Sequence, residues 1–294
     1  MTSAARTLII VLLLGGCIAT RPETPPAGTP PTPGSLATAP DRFVRSADVL
    51  IRYREVGAGD PMVLLHGYTD RLEMWNDAAD SLARAFRVIV PDLRGFGESD
   101  KPASPAQYGN RMTADIVTLL DSLGIRAAHL VGYSMGALIT ADLAVTHPDR
   151  IRSAVLVAGP FHPDSAAFAR ALAPSVSALE RGEGLVPFFR WIVPTMPDSI
   201  LLPLVGQVAA DNDSAALIAV ALGMPQLVHP AAAFADVAIP AVTIVGRNDP
   251  AAANSRWLAD RWPGIKLVEL GDADHAVVFG VPEVVAEART LAGR

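Results

Sequence analysis

Residues 128–146 read AHLVGYSMGALITADLAVT, and this stretch decides the fold. Ala128 to Val131 form a short apolar run of the kind that builds a strand buried on both faces. From Gly136 to Thr146 the apolar positions take a helical spacing. Between them stands Gly132-Tyr133-Ser134-Met135-Gly136, a G-x-S-x-G in the setting of strand, sharp turn and helix. A turn this tight forces Ser134 into strained backbone. Side chains two positions to either side would collide, so glycine is required at 132 and 136. The turn would expose the serine Oγ at a helix N-terminus, where the dipole favours negative charge. The plainer reading is a strand-to-helix turn whose serine only caps the helix.

The pattern repeats on both sides. Phe43 to Ala47 and Val49 to Glu55 read as two entering strands in antiparallel order. Short β-branched runs follow at Pro61 to Leu65, Phe86 to Val90, Ala154 to Val157, Val242 to Val245 and Ile265 to Leu270. Helical stretches separate them at Trp75 to Ala85, Met112 to Leu123, Ser255 to Arg261 and Pro282 to Leu291, the last with proline in its first turn. Strands alternating with helices predict an α/β fold: a mostly parallel central sheet with helices on both faces. Residues 161–230 break the rhythm. They hold no convincing strand and are rich in proline and large apolar residues, which predicts a helical cap inserted between the sixth and seventh strands. The core is then 42–160 and 231–294.

Three landmarks in order resemble the α/β-hydrolase family from about Phe43 to the C-terminus. They are the serine turn, Leu65-His66-Gly67-Tyr68, and Pro91-Asp92-Leu93-Arg94-Gly95-Phe96-Gly97-Glu98-Ser99. The resemblance implies a triad in the order Ser, acid, His. Ser134 is the implied nucleophile. His275, in Gly271-Asp272-Ala273-Asp274-His275, follows the last strand and is the implied base. Asp249, in Gly246-Arg247-Asn248-Asp249-Pro250, follows the strand before and would hold the imidazole. Asp272 and Asp274 compete for that role but sit too near His275 in the chain to reach around its ring. Asp274 stands where the family commonly has glycine, and its charge would raise the His275 pKa. The implied oxyanion hole is the backbone N–H of Tyr68 and of Met135. His66 would brace that loop and Gly67 would let it approach closely. Whether the Tyr68 hydroxyl also enters the site is open.

The other histidines have plainer roles. His129 starts a strand, His147 precedes Pro148 at a helix end, and His162 and His229 flank the cap. Phe188, Phe189, Trp191, Ile192, Met196, Leu201, Leu202 and Leu204 make the cap apolar. They read mainly as packing, with a hydrophobic substrate pocket as the competing reading. Arg170 and Arg190 would meet a substrate carboxylate or simply lie on exposed helix faces.

Within the family, epoxide hydrolases and haloalkane dehalogenases resemble this chain but use an aspartate where Ser134 stands. Serine implies acyl transfer through an acyl-enzyme. The first reading is an esterase acting on a small or medium carboxylic ester. A carbon–carbon bond hydrolase and a cofactor-free perhydrolase share the same triad and remain open. So does a tethered binding protein that has lost catalysis. No cofactor is expected, and no histidine pair with an acid has metal-binding spacing, so no metal is expected either. The net charge of −6 gives no basic surface for nucleic acid. Oligomeric state is not legible.

The N-terminus reads as a targeting segment. Arg6 precedes the apolar run Thr7 to Leu14, about half the ~20 residues of a membrane span. Leu14-Gly15-Gly16-Cys17 resembles a bacterial lipobox, which implies a signal peptide over 1–16, lipidation of Cys17 and an exported, membrane-anchored protein; an ordinary cleaved signal with an incidental cysteine and an uncleaved anchor are the competing readings. Cys17 is the single cysteine, so no internal disulfide is available. Residues 17–41, rich in Pro, Thr, Gly and Ala, would be an extended tether.

Overall fold

A computed structural model describes residues 34–279 and 282–293. The expected signal segment, Cys17 and most of the tether lie outside the described residues.

Eight strands form one sheet: β1 (Arg42–Ser46), β2 (Val49–Val56), β3 (Asp60–Leu65), β4 (Phe86–Pro91), β5 (Ala128–Tyr133), β6 (Ile151–Val157), β7 (Ala241–Gly246) and β8 (Ile265–Leu270). Their order is β1-β2-β4-β3-β5-β6-β7-β8. The β1–β2 and β2–β4 pairs are antiparallel, and every other pair is parallel. The inner strands β5 and β7 are buried at every position, which is why they read as unbroken apolar runs rather than as alternation.

Ten α-helices accompany the sheet among the described residues: α1 (Asn76–Leu82), α2 (Asn110–Ser122), α3 (Met135–Thr146), α4 (Ser165–Glu180), α5 (Val186–Ile192), α6 (Asp198–Asp211), α7 (Ser214–Gly223), α8 (Ala252–Ala259), α9 (His275–Phe279) and α10 (Pro282–Leu291). One face of the sheet packs with α2 and α3, through Ile89, Ile116, Leu119 and Leu138. The other packs with α1 and α10, through Val88, Val155, Ala79 and Val284. α3 is apolar nearly all round and buried from Met135 to Ala144, as a helix between sheet and other helices must be. The helix expected at Trp75 to Ala85 is shorter, and a 3₁₀ turn at Leu72–Trp75 leads into it.

The folded unit starts before the composition change at Arg42. Leu36 is the one large apolar side chain of residues 20–40 and is fully buried. Its N–H donates to Asp80 of α1 at 2.7 Å. Asp41 then binds Arg52 and Arg54 on β2.

Between β6 and β7 the chain runs through α4, α5, α6 and α7 with no strand. The return from this insertion is pinned to α3, where Asp142 accepts from His229 at 2.6 Å and from the Thr113 hydroxyl.

The order β4-β3-β5 reverses the direction in which strands are added. In open parallel sheets the carboxyl ends at such a reversal flank the binding crevice. Here those ends lead from β3 into His66–Asp70 and from β5 into Ser134.

Candidate active site

Ser134 lies in the left-handed region with φ of 50°, between β5 and α3. Its N–H donates to Val157 on β6 at 2.8 Å. A Cβ on Gly132 would lie 2.2 Å from the Gly136 carbonyl oxygen, and a Cβ on Gly136 would lie 2.2 Å from that of Leu65. The expected need for glycine at both positions therefore has two physical causes. Gly132 admits the turn itself. Gly136 lets α3 sit directly against the end of β3.

The turn brings together residues 141 positions apart. His275 Nε2 is 3.0 Å from Ser134 Oγ. On the other side of the ring, Nδ1 is 3.0 Å from both oxygens of Asp249. All three side chains are buried. Asp249 is fixed in turn by the Ala251 N–H, which donates at 2.7 Å. Asp272 is exposed and Asp274 accepts from the Ala276 N–H at 3.1 Å, capping α9. The Nδ1 contact belongs to Asp249.

This arrangement can move a proton. The Ser134 hydroxyl donates to Nε2, Nδ1–H donates to the carboxylate, and an imidazolium formed between them would be stabilised by the buried charge. Tyr68 and Met135 line the cavity at Ser134. Neither backbone N–H donates to an acceptor among the described residues. Both are thus available to an oxyanion.

The loop carrying Tyr68 is braced from below. His66 is fully buried, and burial lowers its pKa, which keeps the ring neutral. Its Nε2 accepts from the Leu93 N–H at 2.9 Å, so Nδ1 carries the proton and donates to Gly67 O at 2.8 Å. Asp92 holds the next loop by accepting from the N–H groups of Leu72 and Glu98 and from Arg52. A Cβ on Gly97 would overlap that carboxylate. Arg94 makes a buried two-bond pair with Asp115, both at 2.5 Å.

Two cavities meet at Ser134 and His275. One, of about 200 Å³, is lined by His162, Phe168, Leu172, Trp191 and Asn254. The other, of about 260 Å³, is lined by Asp70, Tyr133, Phe189, Met196 and Leu204. Tyr68, Phe188 and Ile192 border both.

Two questions left open by the sequence are answered, and one expectation, that the insertion's apolar residues mainly pack, needs correction. The Tyr68 hydroxyl does not turn into the site. It donates to the Leu217 carbonyl of α7 at 2.9 Å, and its ring packs edge-on against Phe188. The apolar insertion residues do not serve packing alone: Phe188, Phe189, Trp191, Ile192, Met196 and Leu204 line the cavities. They can do both because the insertion's inner surface is the cavity roof. Arg170 and Arg190 line neither cavity. Arg190 pairs with Asp198 and donates to Met196 O, and Arg170 is 72% exposed near Asp164.

Sequence reading missed two residues. The Tyr133 phenol donates to the His275 carbonyl at 3.0 Å. Asp70 lines the larger cavity, where burial pushes its carboxyl up to about 6 against the lowering pull of His275. Tyr133 stood inside the serine motif and Asp70 two residues after Tyr68. Position was the available signal, and side-chain direction was not.

A sequence model of the alpha/beta hydrolase fold matches residues 60–182. Over 120 residues the chain is 38% identical to a 2-hydroxymuconate semialdehyde hydrolase from a Pseudomonas species, covering 40% of this chain and 42% of that one. Over 122 residues it is 35% identical to epoxide hydrolase 3 of Siraitia grosvenorii, covering 41% and 39%. The similarity thus spans about two fifths of these relatives' length. Among solved structures, a hydrolase from Pseudomonas aeruginosa superposes with a TM-score of 0.74 at 24% identity, over 87% of this chain and all of that one. By strand order, serine turn and these matches, the chain has the alpha/beta hydrolase fold.

Proposed function

We propose that the protein is a serine hydrolase that cleaves a small or medium, uncharged or cationic carboxylic ester through an acyl-enzyme. The observation that carries this reading is the 3.0 Å approach of His275 Nε2 to Ser134 Oγ, with Asp249 behind the ring. Ser134 Oγ attacks the ester carbonyl as its proton passes to Nε2. The oxyanion is held by the N–H groups of Tyr68 and Met135. The C–O bond breaks, and the leaving alcohol takes the proton from Nε2. Water then repeats the sequence on the acyl-enzyme and releases the acid.

The helical insertion acts as a cap whose inner face sizes the substrate. Neither cavity at Ser134 is lined by Lys or Arg among the described residues. A carboxylate substrate, such as the 2-hydroxymuconate semialdehyde for which the Pseudomonas relative is named, would find no cation there. That favours ester cleavage over the carbon–carbon reading. Ser134 favours it over epoxide opening by an aspartate.

The test is labelling by a fluorophosphonate probe, wild type against Ser134→Ala, followed by p-nitrophenyl esters of increasing acyl length. Labelling lost in the variant, with ester turnover, is the expected result. A folded wild-type protein that is neither labelled nor active would instead fit a binding protein. We further propose that Cys17 is lipidated and anchors the exported domain to a membrane. Cys17→Ser would then move the protein from the membrane to the soluble fraction.

A further inference from the structure

The loop that presents the Tyr68 N–H continues through a strained turn. Thr69 has φ of 73°, a region that a β-branched residue rarely occupies. The turn is closed by the Asp70 N–H donating to Gly67 O at 3.3 Å. It is held from above by Asn212, whose side chain donates to Thr69 O at 3.0 Å and to Val208 O at 2.9 Å. Strain held in place by a second element marks a position that the fold over-determines. Its product is the placement of Asp70 in the wall of the larger cavity.

The Asp70 carboxylate is partly buried and accepts no hydrogen bond among the described residues. Asp92, a structural carboxylate in the same region, accepts three. Asp70 has no part in the proton relay either. His275 gives Nδ1 to Asp249 and Nε2 to Ser134, so its ring has no N–H left for a second acid. On the inner side Asp70 faces His275 and Tyr133, with Asp249 and Asp274 beyond them. On the outer side lie Arg71, Glu73 and Asp211, and Arg71 is already shared at 3.7 Å by the other two. A carboxylate that accepts no hydrogen bond among the described residues, at a cavity also lined by Tyr68, Tyr133, Phe188 and Phe189, is suited to a cation. Aromatic faces with one acid are the chemistry that receives ammonium groups.

Building on the serine-hydrolase reading, we propose that Asp70 is a specificity-determining residue that receives an ammonium group of the ester substrate in the larger cavity and excludes carboxylates from it. The substrate class narrows accordingly, to esters with a cationic group in either the alcohol or the acyl part.

Two matched pairs of esters test this on the full chain. Butyrylcholine against 3,3-dimethylbutyl butyrate places the charge on the alcohol. p-Nitrophenyl 5-(trimethylammonio)pentanoate against p-nitrophenyl 6,6-dimethylheptanoate places it on the acyl group. For one pair, wild type should prefer the cation in kcat/KM by about tenfold, and Asp70→Asn should bring that ratio near one. As a check independent of any variant, choline or 5-aminopentanol should inhibit neutral-ester hydrolysis by wild type about tenfold more tightly than its uncharged counterpart. Ratios near one in both pairs, or a preference that persists in Asp70→Asn, would overturn the proposal and leave the hydrolase reading intact. No turnover of any ester together with no fluorophosphonate labelling would overturn both.

Discussion

The Tyr133 phenol donates to the backbone carbonyl of His275 at 3.0 Å. The residue directly before the candidate nucleophile thereby holds the residue that would deprotonate it. The pair spans 142 positions of chain and ties the loop after β8 to the end of β5. Tyr133→Phe keeps the ring and removes the bond. A net hydrogen bond of about 1 kcal/mol corresponds to roughly five- to tenfold in rate if it acts on His275 placement. We expect kcat to fall by that amount with KM little changed and the melting temperature within a few degrees. An unchanged kcat would assign the bond to stability alone.

Asp249 fixes the imidazole through both of its oxygens. Asp249→Asn preserves the shape but offers an amide donor to Nδ1, which favours the wrong tautomer. The loss in kcat should be on the order of 10³–10⁴-fold. Steady-state kinetics on any ester that wild type turns over checks this, with intact circular dichroism as the control.

Gly136→Ala should be far costlier than its single methyl suggests. The added Cβ would meet the Leu65 carbonyl oxygen at 2.2 Å, and neither that backbone nor α3 can yield without moving the end of β3. A loss of more than ~2 kcal/mol is expected. Gly206→Ala in α6 is the matched control, because a Cβ there meets nothing within 4 Å. It should be neutral or gain about 0.5–1 kcal/mol. Chemical denaturation of both variants gives the comparison.

Asp70 should cost stability at neutral pH. Its carboxyl is raised to about 6 in the folded protein, from a value of roughly 3.9 in an unfolded chain. The native state then holds the proton more tightly than the unfolded state does. This group's contribution is fully present below about 4 and is lost as pH rises through about 6. Asp70→Asn should therefore stabilise the protein by about 1–2 kcal/mol at pH 7.5, and the gain should vanish near pH 4. Thermal melts across that range decide it. A stabilising variant that loses cation selectivity would show a functional charge kept at the expense of stability.

Much of this was legible in the chain. The buried strands declared themselves as β-branched runs, and the serine turn by its two glycines. Asp249 and His275 were found by chain order, since each follows a strand that ends at the same edge of the sheet. What was not legible depended on side-chain direction. Tyr68 lines the cavity at Ser134, yet its hydroxyl goes to Leu217 of α7, a contact across 149 positions. Leu36 looked like tether because its neighbours are Pro, Gly and Thr. It is buried because α1 offers both an apolar seat and Asp80 as an acceptor. The insertion's large residues could not be sorted into roof and filler, because their helices carry apolar residues on more than one side. Ile200 is 57% exposed one position before Leu201, which is fully buried.

The insertion and the sheet reach Ser134 from different stretches of chain, and besides the His229–Asp142 bond to α3 two hydrogen bonds stitch the insertion to the loop after β3. The Tyr68 hydroxyl reaches Leu217, and the Asn212 amide reaches Thr69. Both stitches end on the candidate oxyanion loop. Any transplant that swaps residues 161–230 for a differently shaped roof would inherit Ser134, Asp249 and His275 unchanged, yet would leave Tyr68 and Thr69 without their anchors. The roof is therefore exchangeable only as a part that keeps its two fastenings to that loop, and a chimera that reproduces both would change what enters without loosening the loop that would receive the negative charge.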